Sequence, residues 1–156
     1  MTILDSGDRT KFDTGAVRDM RVGKGRCDLM PLSVAAELMT NLTIKCISDY
    51  QNTGEVKYLY QVLKLIAEVH YKENDKIMTE QSCFASMLLD VSVHYEEGAK
   101  KYGECNWQKG IPQYCYIDSA TRHYLKYIRG DQDEPHIRAF VWNILCLIWT
   151  VENIKE

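Results

Sequence analysis

Apolar residues recur with the spacing of an α-helix along most of this chain, and they predict an all-α fold. Segments 55–72 and 79–102 each place apolar side chains three and four residues apart, with charged side chains on the other face. The segment that begins at Pro135 is apolar nearly all round, which predicts a helix at the centre of the fold. No strand-like alternation of useful length occurs in the sequence.

The first helix is expected to run from Pro31 to about Ser48, because proline is favoured in a first helical turn. Its apolar side is predicted from a spacing of four residues and comprises Val34, Leu38, Leu42 and Cys46. The break after it is expected at residues 52–54, where a glycine follows Asn and Thr.

Turns and caps separate the later helices. Residues 73–76 are expected to form a turn, and residues 104–117 a long irregular loop. Asp118 or Ser119 is predicted to cap a fourth helix that ends at a glycine. The sequence therefore predicts one all-α domain over residues 1 to 156. We expect a bundle of about five helices, preceded by an irregular polar arm at residues 1–29.

The amino-acid composition argues against several classes of binding partner. The 156 residues are 26% charged and 46% hydrophobic, and the net charge is −3 with six cysteines but no Cys-x-x-Cys pair. No excess of cations favours polymeric nucleic acid. The longest apolar-rich run, 139–151, is shorter than the ~20 residues that span a bilayer, and the N-terminus lacks the blocks of a signal peptide. We therefore expect a cytoplasmic protein with reduced cysteines and no membrane partner.

Carboxylates and imidazoles are concentrated where the third predicted helix ends and the fifth begins. Carboxylates on adjacent helices of a bundle commonly hold divalent ions, and oxygen ligands suit Mg²⁺ or Mn²⁺. Glu97, Asp133, Glu134 and His136 are therefore predicted metal ligands. The alternative is a solvated acidic face with favourable negative charge at a helix N-terminus, and this alternative is preferred for Glu96.

Cations near these acids could bind phosphate oxygens. The candidates are Lys24, Arg26, Lys100, Lys101, Lys109 and Arg122. Two of them lie in a glycine-rich segment, 23–31, that lacks the pattern of a Walker A loop. A flexible polar arm and a solvated basic helix face are the alternative interpretations.

Three further side chains could bind a nucleobase. Asn106 and Trp107 offer an amide and a stacking plane, although Trp107 could equally fill the edge of the core. Asn143 lies within an apolar helix, where an unpaired amide costs about 1–3 kcal/mol. It either braces the fourth helix, orients a carboxylate of the site or reads a base. Glu97, Lys101 and His123 are the catalytic candidates.

Several motifs occur together in a fixed order. They are Gly15-Ala-x-Arg-Asp19, Gly23-Lys-Gly-Arg-x-Asp-Leu-x-Pro31, Glu97-Gly-Ala-Lys-Lys-Tyr-Gly-x-x-Asn-Trp-x-Lys-Gly110, Asp118-Ser-Ala-x-Arg-His123 and His136 followed by Trp142-Asn143. In this order they resemble the phage-type dATP/dGTP diphosphohydrolase family, which is associated with the MazG-like all-α nucleoside triphosphate pyrophosphohydrolases. Residues 32–90 show nothing specific to that family.

The resemblance implies Mg²⁺-dependent hydrolysis of purine deoxynucleoside triphosphates to dNMP and pyrophosphate. It also implies a homo-oligomer, dimer or tetramer, that shapes the nucleotide pool during phage replication in the host cytoplasm. MazG-like enzymes carry Glu-Glu-x-x-Glu on one helix and Glu-x-x-Asp on the next, whereas Lys100 and His136 interrupt those patterns here. The metal ligands are therefore expected to differ from the standard set. A non-catalytic nucleotide sponge or sensor, and a purely structural helical protein, are the alternatives.

Overall fold

The computed structural model describes residues 7–72 and 79–155, which form a predominantly helical single domain. Within these ranges there are six α-helices: α1 Leu32–Met39, α2 Leu42–Thr53, α3 Lys57–His70, α4 Glu80–Tyr102, α5 Gln113–Arg129 and α6 His136–Asn153. Short 3-10 turns occupy Cys27–Leu29 and Asn106–Lys109. The all-α prediction is confirmed, with one helix more than the five expected.

The central position predicted for the last helix is confirmed. α6 packs against α3, α4 and most extensively α5. Phe140, Val141 and Leu147 are completely buried, and Ile144 is 1% exposed. Burial of such side chains is the main favourable contribution to folding, so α6 is the element on which the others assemble. Across the described ranges, no helix has both the length and the apolar character that a bilayer crossing requires.

The prediction of one continuous helix from Pro31 to Ser48 is wrong. Thr40 adopts a left-handed conformation with φ of 50°, and Asn41 caps α2 by accepting a hydrogen bond from the Ile44 N–H at 2.9 Å. The chain therefore changes direction between α1 and α2. The predicted apolar side is lost as a consequence, since Leu38 is 84% exposed. The buried residues of α1 are instead Leu32 and Ala36.

The predicted cap at Asp118 or Ser119 is also wrong, because α5 begins at Gln113 and its N-cap is Pro112, six residues before Asp118. Asp118 and Ser119 lie inside α5 and are buried. The expected loop 104–117 is correspondingly short and contains the 3-10 turn. The turn expected at residues 73–76 lies outside the described residues.

The N-terminal arm contains a hairpin that was not expected. β1, Arg9–Lys11, pairs in antiparallel register with β2, Val17–Asp19, so that Thr10 faces Arg18. Strands of three residues are too short to show an alternating pattern in the sequence. The arm is therefore not irregular throughout, and β2 faces the helical body.

The side chain of Asn41 links two helices, and its replacement should lower stability. Its Oδ1 caps α2, while its Nδ2 donates to the Tyr124 hydroxyl at 2.8 Å. Asn41→Ala removes both bonds and should lower the free energy of unfolding by about 1–2 kcal/mol in urea denaturation. Asn41→Asp keeps the cap of α2, so its unfolding free energy should fall by less than that of Asn41→Ala. Equal losses for the two variants would show that the cap does not matter here.

Candidate functional site

A cavity of about 500 Å³ lies between the N-terminal arm, α4, α5 and α6. The arm contributes Val17, Arg18, Asp19, Arg21 and Lys24, and the helical body contributes His94, Gly98, Lys101, Tyr102, Asn106, Ser119, Arg122, His123, Lys126, Glu134, Trp142 and Asn143. The end of α4 and the acidic segment before α6 therefore meet at one cavity.

The cavity is strongly basic. Six of its lining residues are lysine or arginine and two are carboxylates, although the whole chain carries a net charge of −3. Cations gathered in a concave, partly buried site attract anions far better than the same cations dispersed over a surface. The cavity is therefore suited to an anionic ligand that carries several charges.

Asp118 anchors the arm beside the cavity. Its carboxylate is completely buried and accepts hydrogen bonds from the Cys27 N–H at 2.7 Å and from Arg122 Nη2 at 2.6 Å. Arg21 Nη1 lies 3.5 Å from the same carboxylate. A buried charge is tolerated only when it is paired and hydrogen-bonded, and here the partners come from both the arm and α5. The position of the arm thus depends on this carboxylate.

Asn106 provides a second attachment. Its Oδ1 accepts from the Val17 N–H at 2.9 Å, and its Nδ2 donates to the Val17 carbonyl at 2.8 Å. The Thr14 hydroxyl also donates to the Gly110 carbonyl at 2.7 Å. Asn106 therefore binds the edge of β2 as a neighbouring strand would, and both ends of its amide are occupied by the protein's own backbone.

Asn143 is likewise occupied, by an arginine of the arm. Its Oδ1 accepts from Arg18 Nη2 at 3.1 Å, and its Nδ2 donates to the Ala139 carbonyl at 2.8 Å. The same Arg18 nitrogen lies 3.1 Å from the Ser119 hydroxyl. The buried amide thus positions a cation in the cavity through hydrogen bonds that reach from α6 to β2.

Two groups of side chains in the described ranges could hold a metal ion, and both include His136. One group is His123, Glu134 and His136, and the other is Asp131, Asp133 and His136; within each group the potential ligand atoms lie within 4.8 Å of one another. His136 is bonded to His123 by their Nδ1 atoms at 2.9 Å and to Asp133 Oδ1 by its Nε2 at 2.7 Å. A carboxylate on the far nitrogen is how proteins orient a metal-bound imidazole. The donors present therefore fit a divalent cation.

Burial and charge determine the protonation of the two histidines that line the cavity. Burial lowers the pKa of His123 well below its usual value, and the neighbouring His136 lowers it further. Burial, together with Arg138, Arg18 and Lys101, lowers the pKa of His94 to about 4. Both imidazoles are therefore neutral at pH 7, and a neutral imidazole retains a lone pair for a metal or a proton.

The predicted site residues separate into two sets. The first set lines the cavity and comprises Lys24, Lys101, Asn106, Arg122, His123, Glu134 and Asn143. His136 lies beside the cavity and contacts His123. The remaining predicted residues do not line it; they are Arg26, Glu97, Lys100, Trp107, Lys109 and Asp133.

The residues outside the cavity have other surroundings. Arg26 is paired with Asp28, and Lys100 lies 3.7 Å from Glu96. Trp107 packs edge-on against Trp149, with ring centroids 5.0 Å apart. Glu97 is half-buried on α4 and belongs to neither potential metal group among the described residues.

Several lining residues were given no role from the sequence, among them Arg18, Arg21, His94 and Trp142. Arg18 and Trp142 are part of the motifs that resemble the diphosphohydrolase family, so this signal was available. Arg21 and His94 carried no comparable signal, because only the docking of the arm against α4 and α5 brings them together.

A family model described as dATP/dGTP diphosphohydrolase, N-terminal, matches residues 67–156. This chain belongs to that family. The match covers α4, α5 and α6, and so includes both potential metal groups and one wall of the cavity. The hairpin that forms the opposite wall lies outside the match. No curated protein and no solved structure gives a significant match to the chain.

The low pKa of His94 predicts a loss of stability in mild acid. In the folded protein this imidazole stays neutral down to about pH 4, whereas in the unfolded chain it takes up a proton near the usual 6.5. The unfolding free energy should therefore fall between pH 6.5 and 4, by on the order of 3 kcal/mol from His94 alone.

Urea denaturation between pH 6.5 and 4 should show this decrease in the unfolding free energy. In the His94→Leu variant the unfolding free energy should depend less steeply on pH. An NMR titration of the His94 ring provides the direct measurement. Titration near pH 6.5 in the folded protein would contradict the burial argument.

Asp118→Asn should detach the arm. The amide places an N–H group towards Arg122 and leaves buried cations without their counter-charge, so the unfolding free energy should fall by about 3–5 kcal/mol. Limited trypsin digestion should cleave the variant at the basic residues 18–26 faster than the wild type. Asp49→Asn, which removes a surface ion pair with Lys45, should change stability by less than about 1 kcal/mol. Equal digestion rates for both variants would contradict the anchoring role.

Proposed function

We propose that this protein hydrolyses purine deoxynucleoside triphosphates, dATP or dGTP, to dNMP and pyrophosphate with a bound divalent cation. The observation that carries the proposal is the position of the His123, Glu134 and His136 group at a basic cavity of about 500 Å³. A triphosphate is an anion of several charges, and it needs both cations and a metal ion to offset them. Membership of the diphosphohydrolase family supports the same substrate class.

The metal would be held by Glu134, His123 and His136, with Asp133 orienting the last of these. A divalent ion bound there would neutralise phosphate oxygens and lower the pKa of a coordinated water. Two imidazoles and one carboxylate are a mixed donor set. Imidazole ligands bind Mn²⁺ more readily than Mg²⁺, which prefers oxygen, so we propose Mn²⁺ as the better activator. Glu97 on the adjacent helix remains a proposed fourth ligand.

The phosphates would be bound by Lys24 from the arm, Lys101 from α4 and Arg122 from α5. Arg122 is fixed in place, because its guanidinium also donates to the Gly25 carbonyl at 3.0 Å and to Asp118. A pre-oriented cation offsets the charge on the phosphates without reorganising during the reaction. Lys126, which also lines the cavity, would add to the same field.

Catalysis would involve Lys101, His123 and Glu97. Burial keeps His123 neutral at pH 7, so its imidazole retains a lone pair, which in this proposal binds the metal ion. Lys101 supplies charge next to the proposed phosphate position. Glu97 precedes Lys101 by one helical turn, and we retain it as the carboxylate that approaches the site from α4.

The base would stack on Tyr102, which lines the cavity together with Trp142. Asn106 and Asn143, which the sequence suggested as base readers, would act indirectly by holding β2 and Arg18. Trp107 would support these aromatic side chains from the core through its contact with Tyr95.

We further propose a dimer or tetramer that adjusts the nucleotide pool during phage replication in the host cytoplasm. The support is the resemblance of the sequence motifs together with an exposed apolar face on the first two helices. Val34, Leu38 and Leu42 are 62%, 84% and 51% exposed, and contiguous exposed apolar surface is typical of protein interfaces.

The test is incubation of each dNTP with Mg²⁺ or Mn²⁺ and chromatographic separation of the products. We expect dNMP and pyrophosphate from a purine dNTP, with loss of the reaction in EDTA. Glu134→Gln and His136→Gln should lower kcat by at least about 100-fold, since each removes a proposed metal ligand. Glu96→Gln, an exposed acid outside both metal groups, is the matched control and should leave kcat unchanged.

The products also separate the alternatives. Tight nucleotide binding without products would support a nucleotide sponge or sensor. Absence of both binding and products would leave a structural helical protein. A full rate for Glu134→Gln together with His136→Gln would remove this metal group from the mechanism.

A further inference from the structure

Four buried nitrogen atoms of cavity-lining residues have no hydrogen-bond partner among the described residues. One is Arg21 Nη1, which lies 3.5 Å from the Asp118 carboxylate. The other three are Arg18 Nη1, His94 Nδ1 and Trp142 Nε1. The His94 and Trp142 ring centroids are 5.4 Å apart, and Arg18 Cζ lies 5.7 Å from the Trp142 ring centroid. Unsatisfied buried polar groups are costly and therefore rare, so three around one position indicate a missing ligand.

The chemistry of these atoms specifies the kind of ligand. Guanidinium and indole nitrogens can only donate, and His94 Nδ1 donates in one of its two neutral tautomers. We propose that Arg18, His94 and Trp142 form an oxyanion subsite that binds phosphate oxygens of the nucleotide. We call these three residues the buried donor cluster. The inference rests on the proposed function for the identity of the nucleotide, but not for the binding of an anion.

The geometry of Arg18 favours this assignment. Asn143 and Ser119 share its Nη2, which leaves Nη1 directed to no protein group, and the guanidinium lies 5.3 Å from the Tyr116 ring centroid. An arginine held on three sides loses little conformational freedom on binding a ligand, which increases its affinity for an oxyanion. Asn143 is thus a positioning residue for Arg18.

A nucleobase fits the buried donor cluster less well than a phosphate. Adenine presents an amino donor beside its ring acceptor, and that amino group would face the N–H groups of the protein, whereas guanine presents two acceptors, N7 and O6, but carries no charge. The neighbouring residues also favour an anion, because Lys101 and Arg21 line the same cavity. Donors without acceptors, in a basic environment, match the oxygens of a phosphate.

Binding of inorganic tripolyphosphate, measured by isothermal titration calorimetry in EDTA, tests the subsite without a base and without turnover. Arg18→Lys keeps the charge but loses the guanidinium geometry, and we expect affinity to fall about tenfold. Trp142→Phe keeps a ring and removes the N–H, and we expect a fall of about fivefold. Affinities for deoxyadenosine and deoxyguanosine should not change with Arg18→Lys.

Each variant has a matched control. The control for Arg18→Lys is Arg129→Lys, at a side chain that is 70% exposed and outside the cavity. The control for Trp142→Phe is Trp149→Phe, at a ring that packs against Trp107. Neither should alter tripolyphosphate affinity. Circular dichroism and urea denaturation establish that each variant is folded, and Trp142→Phe supplies the test if Arg18→Lys does not fold.

Three results would overturn the inference. The first is that the wild type does not bind tripolyphosphate. The second is that the affinity for tripolyphosphate is unchanged in both folded variants. The third is that the variants lose affinity only for deoxynucleosides, which would make the cluster a base site. A failure of the enzymatic proposal alone would give another result: the wild type would bind tripolyphosphate through Arg18 but would hydrolyse no dNTP. Conversely, dNTP hydrolysis with unchanged tripolyphosphate affinity in the variants would reject the subsite alone.

Discussion

The site depends on the buried ion pair between Asp118 and Arg122. These residues lie one turn apart on α5, so the helix itself places the guanidinium against the carboxylate. Asp118 also binds the Cys27 N–H, and Arg122 binds the carbonyls of Lys24 and Gly25. A charge pair removed from water requires further hydrogen bonds on both members, and the arm supplies them. One consequence is that the arm forms a wall of the cavity.

The positions of buried polar groups then connect the arm to α6. Asn143 lies in the most apolar helix, where its amide needs partners, and it obtains them from Arg18 and from the Ala139 carbonyl. Asn106 meets the same need by bonding to Val17. These two amides place Arg18 of β2 in the same cavity as Arg122 and Lys126 of α5. In this way the requirement to satisfy buried amides generates a basic cavity in a chain whose net charge is negative.

The predictions from the sequence agree with the structure for features set by neighbouring residues. They disagree for features that depend on contacts between distant segments. Helix α4 ends at Tyr102, as the apolar pattern of segment 79–102 predicts, and Asp133, Glu134 and His136 lie close together because they are neighbours in the chain. The break at Asn41 was missed because asparagine occurs both within helices and at their caps. Glu97 and Asp133 were expected in one metal site, but only Asp133 belongs to a potential metal group among the described residues, and how α4 packs against the segment before α6 is not encoded by periodicity.

The sequence by itself determined the helical class, the central position of α6 and the chemical types at the site, because apolar periodicity and residue chemistry are properties of single segments. Only the tertiary structure decided which cations share the cavity and which amides hold them. Arg18 and Trp142 are 124 positions apart, and Arg18 and His94 are 76 apart. Their proximity follows from the docking of the arm, which Asp118, Asn106 and Asn143 hold against the helices, and these are long-range contacts that no local pattern records.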